Sequence, residues 1–143
     1  MPATTEADQN LLNRTRQAAH PRCAVCGRTG HCGLGLRFRL CPDGAVEAEF
    51  NCPERFQGYR GILHGGVTSS LLDGAMTNCL FARGITAVTG ELNVRFRHPI
   101  RLGVPLLVRA SITRSQPPLH VAEAEIVQDG QVRARAVGKF MER

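Results

Sequence analysis

The 143-residue sequence predicts an α+β domain in which one long apolar helix is set among antiparallel strands. Three observations carry that prediction. From Val67, the apolar residues Leu71, Leu72, Ala75, Met76, Cys79 and Leu80 recur with the 3.6-residue period of one wide helix face. On either side of this run the period drops to two, as strands require. The turn sequences Pro42-Asp43-Gly44 and Asp129-Gly130 then divide the alternating stretches into antiparallel neighbours. One helix against one curved sheet is an α+β architecture.

In order along the chain, residues 1–20 are polar apart from Leu11-Leu12, so they form either a loosely docked helix or a disordered segment. Residues 21–143 form a single domain with a CxxC-containing lead-in at 21–33. Leu34, Leu36, Phe38 and Leu40 alternate as a first strand, and Val46, Ala48 and Phe50 as a second. Pairing them as a hairpin sets Arg37 and Arg39 opposite Glu47 and Glu49. A loop over 53–63, rich in glycine and aromatic residues, delivers the chain to the helix that begins at the paired Gly65-Gly66 and runs to Phe81. Beyond it, Leu92, Val94 and Phe96 point inward from a third strand. Leu106, Val108, Ala110 and Ile112 form a fourth, Ser115-Gln116-Pro117-Pro118 breaks the chain, and Ala122, Ala124 and Ile126 begin a fifth. Val132, Ala134, Ala136, Gly138 and Phe140 complete the sheet. So apolar a helix is expected to be wrapped by the sheet and by a partner chain.

Composition narrows the function. No apolar run approaches membrane-spanning length, and the first residues lack the pattern of a secretion signal, so a cytoplasmic protein without membrane association is expected. Its six cysteines are then expected to be reduced thiols. Cys23 and Cys26, followed by His31 and Cys32, look like half a zinc site. A second clean pair of ligands is missing, and the expectation is packed thiols with no metal. The net charge of +6 comes almost wholly from arginine, with Lys139 the single lysine, which favours bidentate recognition of phosphate or carboxylate. With one Tyr, no Trp and no aromatics interleaved among the basic residues, a zinc-dependent nucleic-acid-binding module is the weakest reading, and nucleic acid is not an expected partner.

The start of the helix carries the chemistry. The backbone N–H groups of Gly65 and Gly66 are first-turn donors with no helical acceptor, and without side chains they let a ligand oxygen approach closely. Asp73 is the one formal charge between His64 and Arg83, in mid-helix where Asp is a poor helix former. Thr77 shares its polar stripe. Two turns rise about 11 Å, so Gly65 and Asp73 cannot reach the same ligand atom within one chain, and if both act on one substrate the second must come from a symmetry mate. His64 on its own reads as a structural histidine, because the positive helix end disfavours imidazolium. A nucleophilic serine is not indicated, since no Gly-x-Ser-x-Gly is present.

The stretch from Gln57 to Asp73, with Gly61-Ile62-Leu63-His64-Gly65-Gly66 at its centre, resembles the signature of hotdog-fold acyl-CoA thioesterases of the phenylacetate-pathway type. The likeness continues through Ala87-Val88-Thr89-Gly90-Glu91-Leu92-Asn93 to Pro99, and weakly back to the CxxCG segment and Gly33–Phe38. It implies a hotdog fold, a curved antiparallel sheet around the central helix, in a homodimer or homotetramer with active sites between subunits. It also implies hydrolysis of an acyl-CoA thioester to free acid and coenzyme A, with no cofactor beyond the coenzyme A of the substrate. On this resemblance the Gly65 amide is the donor to the thioester carbonyl and His64 shapes its turn. Asp73 of the facing subunit is the general base or nucleophile, and Thr89 orients the attacking water. Some relatives carry an amide six residues before the histidine, where this chain has Gly58, and Gln57 is the nearest substitute. Gly66 and Thr77 are further candidate substrate contacts, and Arg60, Arg97 and Arg101 are candidates for the phosphates of coenzyme A. A noncatalytic acyl-CoA sensor or a dehydratase on the same fold is the alternative.

Overall fold

A computed structural model describes residues 6–27 and 33–143. His31 and Cys32, half of the partial zinc pattern, lie outside the described residues. The chain runs α1 (Gln9–Ala19), β1 (Arg39–Leu40), β2 (Val46–Phe50), a single 3₁₀ turn (Glu54–Phe56), α2 (Gly65–Phe81), β3 (Ala87–Phe96), β4 (Leu106–Gln116), β5 (Leu119–Gln128) and β6 (Gln131–Glu142). The strands form one antiparallel sheet in the order β1-β2-β4-β5-β6-β3, and α2 packs on one face of it. The expected α+β architecture, a curved sheet around one long helix, is what the chain adopts.

The apolar stripe read from the sequence is the buried one. Leu71, Leu72, Ala75, Met76, Cys79 and Leu80 are all buried, against Val46, Val108, Ala122, Ala134 and Phe140 of the sheet. Helix and sheet approach closely at Gly138, where an added Cβ would meet the Phe140 ring at 2.6 Å and the Met76 side chain at 3.1 Å. The Asp129-Gly130 turn joins β5 to β6 with both residues at positive φ, the conformation that a two-residue hairpin of this kind requires. Asp43 secures the β1–β2 turn by accepting from the Ala45 amide at 3.1 Å.

Three details differ from the sequence expectation. The first strand is only Arg39–Leu40. The inward alternation before it is real, with Leu36 and Phe38 buried, but the backbone there donates to the CxxC loop, Leu34 to Ala24 at 2.9 Å and Leu36 to Val25 at 3.1 Å. Arg39 meets Glu47 at 3.0 Å as expected, whereas Arg37 donates to the Cys26 carbonyl at 2.7 Å and Glu49 lies opposite Leu107. The segment Ser115–Pro118 is no broad loop, since β4 continues to Gln116 and β5 begins at Leu119. Finally, Phe96 leaves the inward set and is 58% exposed.

Of the two readings of residues 1–20, a docked helix is the one the described part adopts. Asp8 caps α1 by accepting from the Leu11 amide at 3.0 Å, and its own amide donates to Ala82 at the end of α2 at 2.8 Å. Leu12 buries its whole side chain in the core. Among the described residues, no helix is long and apolar enough to cross a membrane.

Candidate active site

His64 is the N-cap of α2, and its Nδ1 accepts the Gly66 amide at 2.9 Å. Accepting through that nitrogen fixes an imidazole lone pair toward the turn, which is a structural task. Of the two glycine donors, Gly66 is therefore committed to His64. Gly65, as the first helical residue, has no helical carbonyl for its N–H, and it lies exposed at the positive end of the helix. The loop before it is held by its own bonds. Gly58 donates to Ile62 at 3.0 Å, Leu63 to Ile100 at 2.8 Å, and His64 to Phe56 at 2.9 Å. Gly58 packs against the histidine, where an added Cβ would lie 3.3 Å from the His64 backbone, so a side chain there would press on the cap.

Asp73 sits two turns further along α2, half-buried, and its Oδ1 accepts from the Thr89 hydroxyl at 2.7 Å. Burial raises the Asp73 carboxyl above its ordinary value, and the Thr89 hydrogen bond opposes that rise. Both residues belong to the same chain, because β3 starts beside the middle of α2. The other end of β3 lies beside the helix start. There the Phe96 ring stands 3.6 Å from where a Gly65 Cβ would be and forms an apolar wall beside the free amide. Strand periodicity placed Phe96 in the core, and only the crossing of β3 over the helix reassigns it.

The remaining candidates scatter. Thr77 is buried, and its hydroxyl donates to the Asp73 carbonyl at 3.0 Å, which keeps it inside its own helix. Gln57 accepts from the Gly61 amide at 3.2 Å. Gln57 and Arg60 share a depression of about 330 Å³ with Glu54, Leu102 and Gly103, and neither Gly65 nor Asp73 lines it. Arg101 is ion-paired with Asp129, and Arg97 is exposed after β3 with its backbone amide on Arg133 at 2.8 Å. A larger depression of about 390 Å³, lined by Asn93, Arg95, Arg109, Glu123 and Arg135 among others, lies on the sheet face turned away from α2.

Two groupings were not read from the sequence. Ser115 and Glu142 both contact the buried His120, at 2.7 Å and 2.9 Å. The order is that of a nucleophile triad, but neither depression is lined by these residues, and they tie β4, β5 and β6 together at one sheet end. The second grouping is His20, Cys23 and Cys26, whose potential ligand atoms lie within 4.8 Å of one another. The signal is present as His-x-x-Cys-x-x-Cys, with His20 on the N-terminal side of the pair.

Comparison with known proteins bears on the same stretch. The family model of the thioesterase superfamily matches residues 60–134, more than half of the chain. Acyl-coenzyme A thioesterase 13 of Homo sapiens is 26% identical over 100 residues, covering 68% of this chain and 67% of that protein. The crystal structure of a phenylacetic acid degradation-related protein from Ralstonia eutropha superposes with a TM-score of 0.75 at 26% identity, covering 92% of this chain and 99% of that one. A Streptococcus mutans protein solved bound to acetyl CoA superposes with a TM-score of 0.70 at 19% identity, covering 76% of this chain and 88% of that one, a likeness of fold.

Proposed function

The chain belongs to the thioesterase superfamily, with the hotdog fold of its phenylacetate-type branch, and from that premise we propose that it hydrolyses acyl-CoA thioesters at two sites shared between the subunits of a homodimer. It is a hydrolase acting on thioesters. The acyl-CoA substrate is supported by the name of the human relative and by the acetyl CoA bound to the Streptococcus protein of the same fold. The observation that carries the catalytic reading is the first-turn amide of Gly65, which has no partner among the described residues, paired with a half-buried carboxylate two turns away that Thr89 holds at 2.7 Å.

β3 supports the dimer. This strand is a sheet edge paired only with β6, and its two ends touch the two halves of the chemistry, Thr89 at Asp73 and Phe96 at Gly65. Antiparallel pairing of β3 with its own copy reverses the partner's direction. The Gly65 end of one chain then lies beside the Asp73 end of the other, which removes the about 12 Å gap that separates them along one helix.

In each site the thioester carbonyl accepts from the Gly65 N–H at the positive helix end. Asp73 from the facing subunit takes a proton from a water that attacks the carbonyl carbon, and the tetrahedral oxyanion is stabilised by the same amide. Collapse breaks the carbon–sulfur bond and expels coenzyme A as a thiolate. A thiol is a far stronger acid than an alcohol, so expulsion as the thiolate needs no strong general acid. Thr89, bonded to Asp73 Oδ1, fixes the carboxylate's orientation. The test is release of free thiol from acyl-CoAs of varied chain length and aromaticity. Asp73→Asn is expected to retain acyl-CoA binding and lose roughly 10²- to 10⁴-fold in kcat, as removal of a general base does. Binding without turnover by the native chain would make it an acyl-CoA sensor.

A further inference from the structure

We propose that His20, Cys23 and Cys26 form a zinc-binding site that fastens the end of α1 and the following loop to α2, one residue from Asp73. The three ligand atoms lie within 4.8 Å of one another, and the Cys26 sulfur is 4.0 Å from His20 Nδ1. Around a tetrahedral zinc with bonds of about 2.3 Å to sulfur and 2.0 Å to nitrogen, ligand atoms sit about 3.5–3.8 Å apart, so closure needs shifts of up to about 1 Å.

The backbone is already shaped for such a task. The Val25 amide donates to the Cys23 sulfur at 3.3 Å, and the Gly27 amide closes the turn on the Cys23 carbonyl at 2.8 Å. Gly27 permits that closure, because a Cβ there would stand 2.3 Å from the same carbonyl oxygen. Arg16 and Arg37 both donate to the Cys26 carbonyl, at 3.3 Å and 2.7 Å. The His20 ring is held edge-on against Phe81, with centroids 4.9 Å apart. Supports of this kind orient ligands before a metal arrives. A disulfide between the two cysteines would need neither the imidazole nor its fixed ring.

One further observation points to an occupant, and a second to what it would anchor. Asn78 lies against the Cys26 thiol, and its fully buried side-chain oxygen has no hydrogen-bond partner among the described residues. Val25, between the two cysteines, packs so tightly on α2 that a Cβ on Gly74 would lie 2.7 Å from it. A metal at His20, Cys23 and Cys26 therefore anchors the loop against the helix segment that carries Asp73. Among the described residues three protein ligands converge, and a tetrahedral zinc takes a fourth beyond them.

The test is elemental analysis of the full chain, purified under reducing conditions and reconstituted with zinc alone. One zinc per chain is expected, and cobalt substituted for it should show thiolate-to-metal absorption. Cys23→Ser and Cys26→Ser should abolish the stoichiometric metal, and His20→Ala should weaken it by at least about ten-fold. Cys52→Ser, a buried thiol outside the cluster, should retain it and controls for folding. Asp73→Asn should bind zinc as the native chain does while losing hydrolysis, which separates this proposal from the catalytic one. Fully titratable thiols with zinc far below one per chain after reconstitution would overturn the proposal. So would unchanged zinc binding in all three ligand variants.

Discussion

Replacing Gly65 with proline removes one hydrogen-bond donor and little else. The residue is the first of α2, where proline is favoured because its missing N–H has no helical partner and its φ is already helical. His64 before it sits at φ −59°, ψ 134°, the extended region that a following proline demands. A Cβ at Gly65 meets only the Phe96 ring, at 3.6 Å, an ordinary contact. The folded state should therefore be kept or stabilised by about 0.4–1 kcal/mol. If the Gly65 amide is the oxyanion donor, Gly65→Pro should lower kcat for acyl-CoA hydrolysis by about 10²- to 10³-fold, the roughly 2.7–4 kcal/mol that one such donor supplies. The same variant tests the division of the site between chains. Mixed with Asp73→Asn and allowed to exchange subunits, it gives mixed dimers in which one site has both Gly65 from one chain and Asp73 from the other. Thiol release should recover to about a quarter of the native rate, since half the dimers are mixed and each carries one intact site. A native rate in Gly65→Pro alone would refute the oxyanion role. Activity that stays at the sum of the two parents would refute the shared site.

Thr89→Val keeps the shape of the side chain and deletes the hydroxyl that opposes the burial-driven rise of the Asp73 carboxyl. Its kcat should fall by about ten-fold, the low end for a hydrogen bond to a charged group at an exposed position, and the acid limb of the pH–rate profile should move to higher pH. An unmoved limb would detach Thr89 from Asp73. Because burial raises the Asp73 carboxyl above its unfolded value, the folded chain holds that proton more tightly, and the stability this gives at low pH is lost as pH rises through the raised value. Asp73→Asn should accordingly resist urea better than the native chain near pH 8, with the difference vanishing in acid. Leu12→Ala should cost about 2–5 kcal/mol in urea unfolding, because Leu12 seats α1 in the core; an unchanged midpoint would mean that α1 contributes nothing to stability.

Periodicity reads well where one face of an element is buried and the other is not. The α2 stripe and the inward residues of β2, β4, β5 and β6 all fall where their spacing puts them. It misreads segments whose apolar residues serve something else. Leu34 and Leu36 alternate like a strand yet pair with a loop, and Phe96 alternates with Leu92 and Val94 yet stands beside Gly65. No period of two or 3.6 distinguishes these cases, because both burial partners are remote in sequence.

By itself the sequence determined the α+β class, the helix with a donor-bearing glycine start, and the carboxylate placed too far along that helix to share an atom with it. Those follow from local spacing and from the fixed rise of a helix. Only the tertiary structure decided that Thr89 holds Asp73, that Gly66 is spent on His64 while Gly65 stays free, that Arg101 pairs with Asp129, and that His20 joins Cys23 and Cys26. The Thr89 and Arg101 contacts depend on which element crosses which, a matter of packing between segments that no window of sequence contains; the His64 and His20 contacts lie within a few residues and depend on how a turn folds.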